Sequence, residues 1–361
     1  MRDKVYILLL LTIISFSAHS QVRKYSNDFL NIGVGARGIG LSGAHIAMAD
    51  DIYASYYNPA GLAQIDNDIS IGLMHNEYFT GIAKYDYIGL GFQVADKQGT
   101  VGISMIRFGV DDIPNTLFLI GPDGSINYDN ITSFSTADYA FLFSYAHKLG
   151  IEGLTVGGNF KLIYRTIGPF AKAWGFGLDA GLQYRIKGWR FGLAARDITS
   201  TFTAWSFNFT NDEKEVLLQT NNELPDNTIE LAIPIIGLGI GYEFNIKDKV
   251  YIRPEAVFEF TTDGKRNVLI AGDPISMDLK FGVEFDFVRI AYLRTGVGKI
   301  QRVTDDFGND KTTLLPTLGG GVRIKAIQID YSFTDLGNAS DALYSHVISL
   351  NININKKESV E

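Results

Sequence analysis

From Asp68 onward the chain alternates between oily and wet side chains in long segments, and no other feature of the sequence constrains its fold so tightly. In Leu154–Tyr164 the even positions are Leu154, Val156, Gly158, Phe160, Leu162 and Tyr164, while the odd ones include Thr155, Asn159 and Lys161. Trp174–Arg185 repeats the split, with Trp174, Phe176, Leu178, Ala180, Leu182 and Tyr184 set against Gly175, Gly177, Asp179, Gly181, Gln183 and Arg185. Met277–Phe287 does so again, its wet face carrying Asp278, Lys280, Gly282, Glu284 and Asp286. A period of two is that of a β-strand with two unlike faces.

A soluble sandwich also alternates, so the oily face must be located by other means. The segments run to about ten residues or more, the length a tilted strand needs to cross a bilayer, whereas strands in soluble sheets average about five or six. Trp174 and Tyr184 end one oily face ten positions apart, a spacing of roughly 25 Å after tilting, which suits two aromatic girdles. A dry core would not accept the charges of Met277–Phe287 without a partner for each. The charged face therefore belongs to a wet lumen and the oily face to lipid.

Walking the chain places about fourteen strands, near 68–76, 84–95, 100–110, 134–148, 153–166, 173–186, 188–198, 231–245, 249–262, 276–287, 288–298, 314–325, 326–334 and 343–355. Tight turns alternate with long connections at 111–133, 199–230, 262–275 and 299–313. Such alternation is that of an antiparallel transmembrane β-barrel, short turns on the periplasmic rim and long loops outside. Two irregularities stand out. The apolar phase slips around Met105-Ile106, which suggests a bulge or the start of a loop. Pro254 falls inside a strand that should be fully paired, where a bulge is expected.

Residues 1–20 read as a cleaved export signal: Arg2 and Lys4 precede the apolar run 5–14, and Ala18-His19-Ser20 supplies small residues before a cut at Gln21. Removing Arg2, Asp3 and Lys4 from 32 basic and 40 acidic residues leaves 30 against 39 and a net charge of −9, which disfavours nucleic acid and anionic membrane surfaces as partners. There is no cysteine, hence neither a disulfide nor a thiolate metal site. The domain reading is a signal at 1–20, an N-terminal plug at 21–66, the barrel at 67–355 and a solvated tail at 356–361.

The plug is read from Gly33 to Ala63. Small residues at Ala36, Gly40, Gly43, Ala44 and Ala47 recur three or four apart and predict a helix with a bare face for close packing. Asn58-Pro59 predicts an N-cap and first-turn proline for another short turn. Both chain ends fall on the periplasmic side, so this segment is expected to enter the lumen from below. Gly33-x-Gly35-x-x-Gly38 fits a dinucleotide fingerprint, but no βαβ unit surrounds it, and Asp50-Asp51 comes too early to serve a ribose. No cofactor is expected.

The run 29–37 (FLNIGVGAR), with Gly33, Gly35, Ala36 and Arg37, then Gly43-Ala44 and Asn58-Pro59-Ala60-Gly61-Leu62, resembles the N-terminal signature of the PorV/PorQ family of outer-membrane proteins. The resemblance continues into 109–116 and Trp205-Ser206-Phe207. That family consists of fourteen-stranded relatives of the FadL long-chain fatty acid transporters, a relation that implies a gap in the wall as the alternative to a bulge at Pro254. The resemblance implies an outer-membrane, non-enzymatic component of the type IX secretion system, with the translocon or the C-terminal domains of exported cargo as partners. The alternative is a FadL-like transporter of hydrophobic small molecules, with a hydrophobic ligand or lipid in the barrel.

No catalytic constellation is legible: the five histidines are scattered and no nucleophile elbow or metal motif occurs. Arg253, Glu255, Glu259, Asp278, Lys280, Glu284 and Asp286 share lumen faces and are expected to satisfy one another, with arginines such as Arg165, Arg185 and Arg196 across the lumen or against the plug. Leu117, Phe118 and Leu119, and Trp205, Phe207 and Phe209, fall in two predicted outer loops. They would either cap the lumen or offer a contact surface.

Overall fold

A computed structural model describes residues 26–78, 81–95, 97–121, 123–220, 222–304, 310–334 and 345–355. The export signal and the C-terminal tail lie outside the described residues. The strands are β1 (Ile69–Tyr78), β2 (Ala83–Val94), β3 (Gly99–Asn115), β4 (Thr132–Lys148), β5 (Leu154–Ile167), β6 (Ala171–Ile186), β7 (Trp189–Arg196), β8 (Phe202–Phe207), β9 (Ile229–Leu231), β10 (Ile235–Tyr242), β11 (Phe244–Ile246), β12 (Val250–Thr261), β13 (Ser276–Phe287), β14 (Ala291–Thr304), β15 (Asp310–Ile324), β16 (Ile327–Thr334) and β17 (Ser345–Ile354). β1 pairs with both β2 and β17, which closes the sheet. Because β8 continues β7, and β9, β10 and β11 share one wall position, the closed antiparallel barrel has fourteen strands.

The alternation sorts as the sequence requires. Phe143, Phe160, Trp174, Phe176, Leu238, Phe281, Leu293 and Ile329 are exposed on the outside, whereas Thr155, Asn159, Lys161, Glu284 and Asp330 are buried inside. Inside sits the N-terminal segment: α1 (Ala36–Gly40), α2 (Ala54–Tyr57) and a 3-10 turn, Pro59–Gln64. The helix expected from the small-residue spacing ends after one turn, and Gly43, Ala44 and Ala47 lie in irregular backbone beyond it. Smallness serves close approach to the wall there, not a long helix face. Asn58 caps the 3-10 turn, its Oδ1 accepting from Ala60 N at 3.2 Å with Pro59 in the first position. The described segment runs downward, from Asn27 beside Thr203 of β8 to Ile65 beside Gln93 of β2, rather than rising from below.

Both expected irregularities take another form. β2 and β3 stay in register through Met105 and Ile106, and the shift comes later, between Val110 and Ile113. The phase slip arises because Ile106 is buried against the plug, where the lumen face is apolar. Pro254 pairs with Val283, and the β10–β11–β12 register is the same on either side of it, so there is neither bulge nor gap. Two predicted loops are also shorter than expected, since β3 and β4 rise to Asn115 and Thr132, and β8 takes Trp205 and Phe207 into the wall.

The real break in the wall lies elsewhere. β6 pairs with β7 up to Ala180–Ala195 and with β8 from Phe176–Phe202, so three residues of β6 face six of the neighbouring strand. Asp197 and Ser200 turn through left-handed conformations, at φ 56° and 54°. Ile198 N donates to Leu178 O at 2.9 Å and Asp197 N to Asp179 Oδ1 at 2.9 Å, which partly close the gap.

Candidate functional site: plug, chamber and mouth

The plug is seated by glycines on the wall and by one charged hub. At Gly157 an added Cβ would come 2.5 Å from Pro59 C, and at Gly192 2.7 Å from Ile46 O; only a bare backbone lets plug and strand meet this closely. Arg37 binds Glu284 in a fork, Nε to Oε2 at 2.8 Å and NH2 to Oε1 at 3.0 Å, and reaches Asp50 at 2.5 Å and Asp51 at 3.2 Å. Glu284 also accepts from Arg253 at 2.9 Å and Arg294 at 2.7 Å, and Arg294 continues to Asp330 at 2.6 Å. Burial is offset here by opposite charges on every side. Asp50, half-buried, is accordingly held well below the usual carboxylate range against its partial desolvation, chiefly by Arg37. Burial instead pushes Asp51 up, and its neighbour Asp50 adds to this.

Glu255 departs from the expected pairing. Its carboxylate takes no arginine; Oε1 accepts from the backbone N–H groups of Ile46 at 2.7 Å and Ala47 at 2.6 Å, and Oε2 from Met48 at 3.2 Å. Three converging N–H donors make a nest for an anion, so Glu255 fastens the plug loop to β12. Asp278 also differs: it has no ion pair among the described residues, and its buried Oδ1 has no hydrogen-bond partner. Glu259 follows expectation, bridged to Arg196 at 3.1 Å and Lys280 at 2.5 Å, as does Asp286 with Arg253 at 3.2 Å. His45, fully buried with both ring nitrogens unpartnered, meets Tyr57 edge-on at 5.3 Å. Burial, reinforced by Arg37, lowers its pKa to about 3 and keeps it neutral.

Above the plug lies a chamber of about 530 Å³, lined among others by Ile32, Tyr57, Tyr78, Glu259, Lys280 and Lys299. A smaller pocket shares Asn31, Tyr56, Arg196, Ile235 and Arg266 with it and extends to the broken wall at Asp179, Asp197 and Ile233. Lys161 holds Asp179 at 2.8 Å and also binds Asp197, so the inner side of the break is an ion triad. Its outer side is an apolar groove of about 610 Å³ with Val101, Ile103, Phe143, Phe160, Leu178 and Ile198, and Asp179 lines it too.

The two aromatic segments predicted as loops converge at the mouth. Leu117, Phe207 and Phe209 join Phe134, Ile167, Phe170 and Leu217 around an apolar pocket of about 450 Å³. Leu217 comes from α3 (Asn211–Gln219), whose capping box joins Thr210 and Glu213. Trp205 is buried against Ala171 and Ala173, with the Arg165 guanidinium 5.0 Å over its ring and 5.8 Å from that of Phe29. Arg165 is itself held by Asp138 at 2.8 and 2.9 Å. This layer of Arg165, Trp205 and Phe29 lines neither the mouth pocket nor the chamber. Phe118 stays exposed and Leu119 half-buried, both outside the pocket.

Sequence reasoning missed Arg294, Asp330 and the Lys161–Asp179–Asp197 triad. Arg294, Asp330, Lys161 and Asp179 are charges on the wet faces of strands, and the alternation alone could have nominated them; Asp197 lies in the turn just beyond β7, where no alternation applies. Where they meet depends on register across the barrel, which no local pattern encodes.

No protein-family model and no curated protein sequence matches the chain. Solved structures do. The Ralstonia pickettii toluene transporter TbuX matches with a TM-score of 0.55 at 13% identity, covering 90% of this chain and 99% of that one. The Pseudomonas putida toluene transporter TodX gives the same values. A FadL homologue from Pseudomonas aeruginosa gives a TM-score of 0.52 at 13% identity over 89% and 98%. At such identities the likeness is one of fold, and the chain is a plugged fourteen-strand barrel of the FadL type.

Proposed function

We propose that this protein lies in the outer membrane and admits hydrophobic small molecules from outside. A ligand enters the apolar mouth pocket, passes the Trp205–Arg165 layer into the chamber, and leaves sideways through the broken wall into lipid while the plug stays seated. One observation carries the reading: ladder pairing lapses between Phe176–Phe202 and Ala180–Ala195, and at that lapse Asp179 lines both the inner pocket and the apolar outer groove. The neighbouring structures include toluene transporters and a monoaromatic hydrocarbon channel, which supports the ligand class. Entry of a toluene-sized hydrophobe into expressing cells, compared between the unmodified chain and Phe209→Asp, tests it. The reading expects a loss with the aspartate and is overturned if entry is unchanged.

A second reading follows the PorV/PorQ resemblance, in which the mouth binds the translocon or cargo domains of type IX secretion. It is favoured by the exposed apolar tip between β3 and β4, where Phe118, Ile120, Ile126 and Tyr128 stand 38 to 72% exposed. Purification in mild detergent decides it: recovery of translocon or cargo supports this reading, and recovery of the barrel alone speaks against it.

A further inference from the structure

The net charge of −8 hides a strong local asymmetry on the rim of short turns. On one side of that rim the cations are matched: Lys97 sits 3.5 Å from Asp68 and Lys148 3.8 Å from Asp66. On the other side, four consecutive turns carry Lys187, Lys247, Lys249, Arg289 and Lys325, all exposed, and none makes an ion pair among the described residues. Arg289 lies 4.4 Å over the ring of Tyr251. The acids within this arc are mostly committed. Glu243 is bound by Arg190 at 3.1 Å and Arg253 at 2.6 Å, and Asp286 is buried against Arg253; only Asp248 is exposed, held at 2.6 Å by Asn245.

Within the same arc an apolar groove of about 770 Å³ opens on the outer wall, lined by Lys187, Arg190, Tyr242, Phe244, Ile246 and Ile252. Phe244 and Ile246 in its lining and Trp189 beside it are 47 to 48% exposed, and Trp189 and Tyr242 meet edge-on at 5.0 Å. The groove adjoins the exposed apolar belt at Phe191 and Ile240. Lys187 lines it, together with Asn245 and the Arg190-bound Glu243, and Lys247 and Lys249 stand in the turn that directly follows Ile246.

We infer that this groove binds an anionic phospholipid of the periplasmic leaflet, its acyl chains on Tyr242, Phe244 and Ile246 and its headgroup among Lys187, Lys247 and Lys249. The apolar length and the charge at one end match an amphiphile, and the unpaired cations select a negative head over a zwitterionic one. The inference rests on the outer-membrane reading above but not on any transported ligand.

The test uses the full chain in nanodiscs, with Trp189 as reporter in a W174F/W205F background. Quenching by dibrominated phosphatidylglycerol is compared with quenching by dibrominated phosphatidylcholine. We expect phosphatidylglycerol to bind at least about fivefold more tightly, and Lys187→Gln with Lys247→Gln and Lys249→Gln to abolish the preference, each lysine contributing up to roughly fivefold. Equal quenching by both lipids overturns the inference, as does a preference that survives the triple substitution. Native mass spectrometry of the chain with its own tryptophans, made with the same lipids, guards against a reporter background that folds poorly. It is expected to retain phosphatidylglycerol preferentially, and equal retention again overturns the inference. Failure of the unmodified chain to insert into nanodiscs at all would instead contradict the membrane reading.

Discussion

Arg37 of the plug and Glu284 of β13, 247 residues apart in the chain, form a fully satisfied bidentate pair inside the barrel, at 2.8 and 3.0 Å. Both residues are buried, and each is surrounded by further opposite charges. Plug and wall are thus one electrostatic unit.

Removing Arg37 leaves the largely buried Asp51 without an ion-pair partner among the described residues and Asp50 with Arg185 at 3.9 Å, while Glu284 keeps Arg253 and Arg294. Arg37→Ala is expected to cost about 3 to 5 kcal/mol and to loosen the plug. The check is twofold: a lower unfolding midpoint in detergent, and increased entry of a small hydrophilic antibiotic into expressing cells. An intact midpoint would show that the hub does not hold the plug.

At Glu255 the partners are backbone groups, so the charge itself is less important than two well-placed acceptor oxygens. Glu255→Ala, which strips three buried N–H groups of their acceptor, should destabilise by about 2 kcal/mol or more. Glu255→Gln retains one acceptor oxygen and should fall between the two. Chemical denaturation of the three chains in one detergent gives the order.

His45 predicts a pH dependence whose sign is fixed. Its folded pKa, lowered to about 3, lies below the unfolded value of roughly 6.5. The neutral form is the one that fits, so its contribution is complete above about pH 6.5. It is lost as pH falls from there towards 3, at up to about 1.4 kcal/mol per pH unit. Asp50 acts in the same direction at lower pH, since its depressed pKa means that stability is lost as pH falls below the ordinary carboxylate range. His45→Phe should flatten the profile between pH 6.5 and 4; an unchanged slope there would exclude the histidine as its source.

Gly157 tests the close approach of plug and wall. Gly157→Val places two methyl groups where Pro59 and Ala60 already sit, so the 3-10 turn must shift and the overpacking should cost about 1 to 3 kcal/mol. Limited proteolysis of the plug in the folded barrel should speed up, while the same change at Gly150, whose Cβ meets nothing within 4 Å, should leave it unaltered.

Much of the barrel was legible in the sequence because two-residue alternation is local: each strand declares its faces without knowing its neighbours. Thus fourteen strands and the assignment of Phe160, Trp174 and Phe281 to the outside follow from pattern alone. The plug was harder to read. The Ala36–Ala47 spacing suggested a longer helix, but smallness was needed for contact with Gly192 and other bare wall positions, which only the tertiary structure reveals. Ile106 looked out of phase because the rule of a polar lumen fails where the plug packs. Pro254 drew attention to an intact strand, while the actual break at Asp197–Thr201 contains no proline and follows from a register mismatch between β6 and β8. The meeting of Leu117 with Phe207 and Phe209 likewise depended on how far β3, β4 and β8 rise above the rest.

Sideways exit through that break is the central claim, and a reversible staple tests it most directly. Cysteines in G177C/T201C would begin with β-carbons 2.8 Å apart, short of the roughly 3.8 Å of a relaxed disulfide, so a small local shift closes the bond. The measurement is entry of a toluene-sized hydrophobe into cells carrying this variant, oxidised and then reduced. The account predicts entry at the background rate when oxidised and recovery on reduction; equal rates in the two states would contradict it.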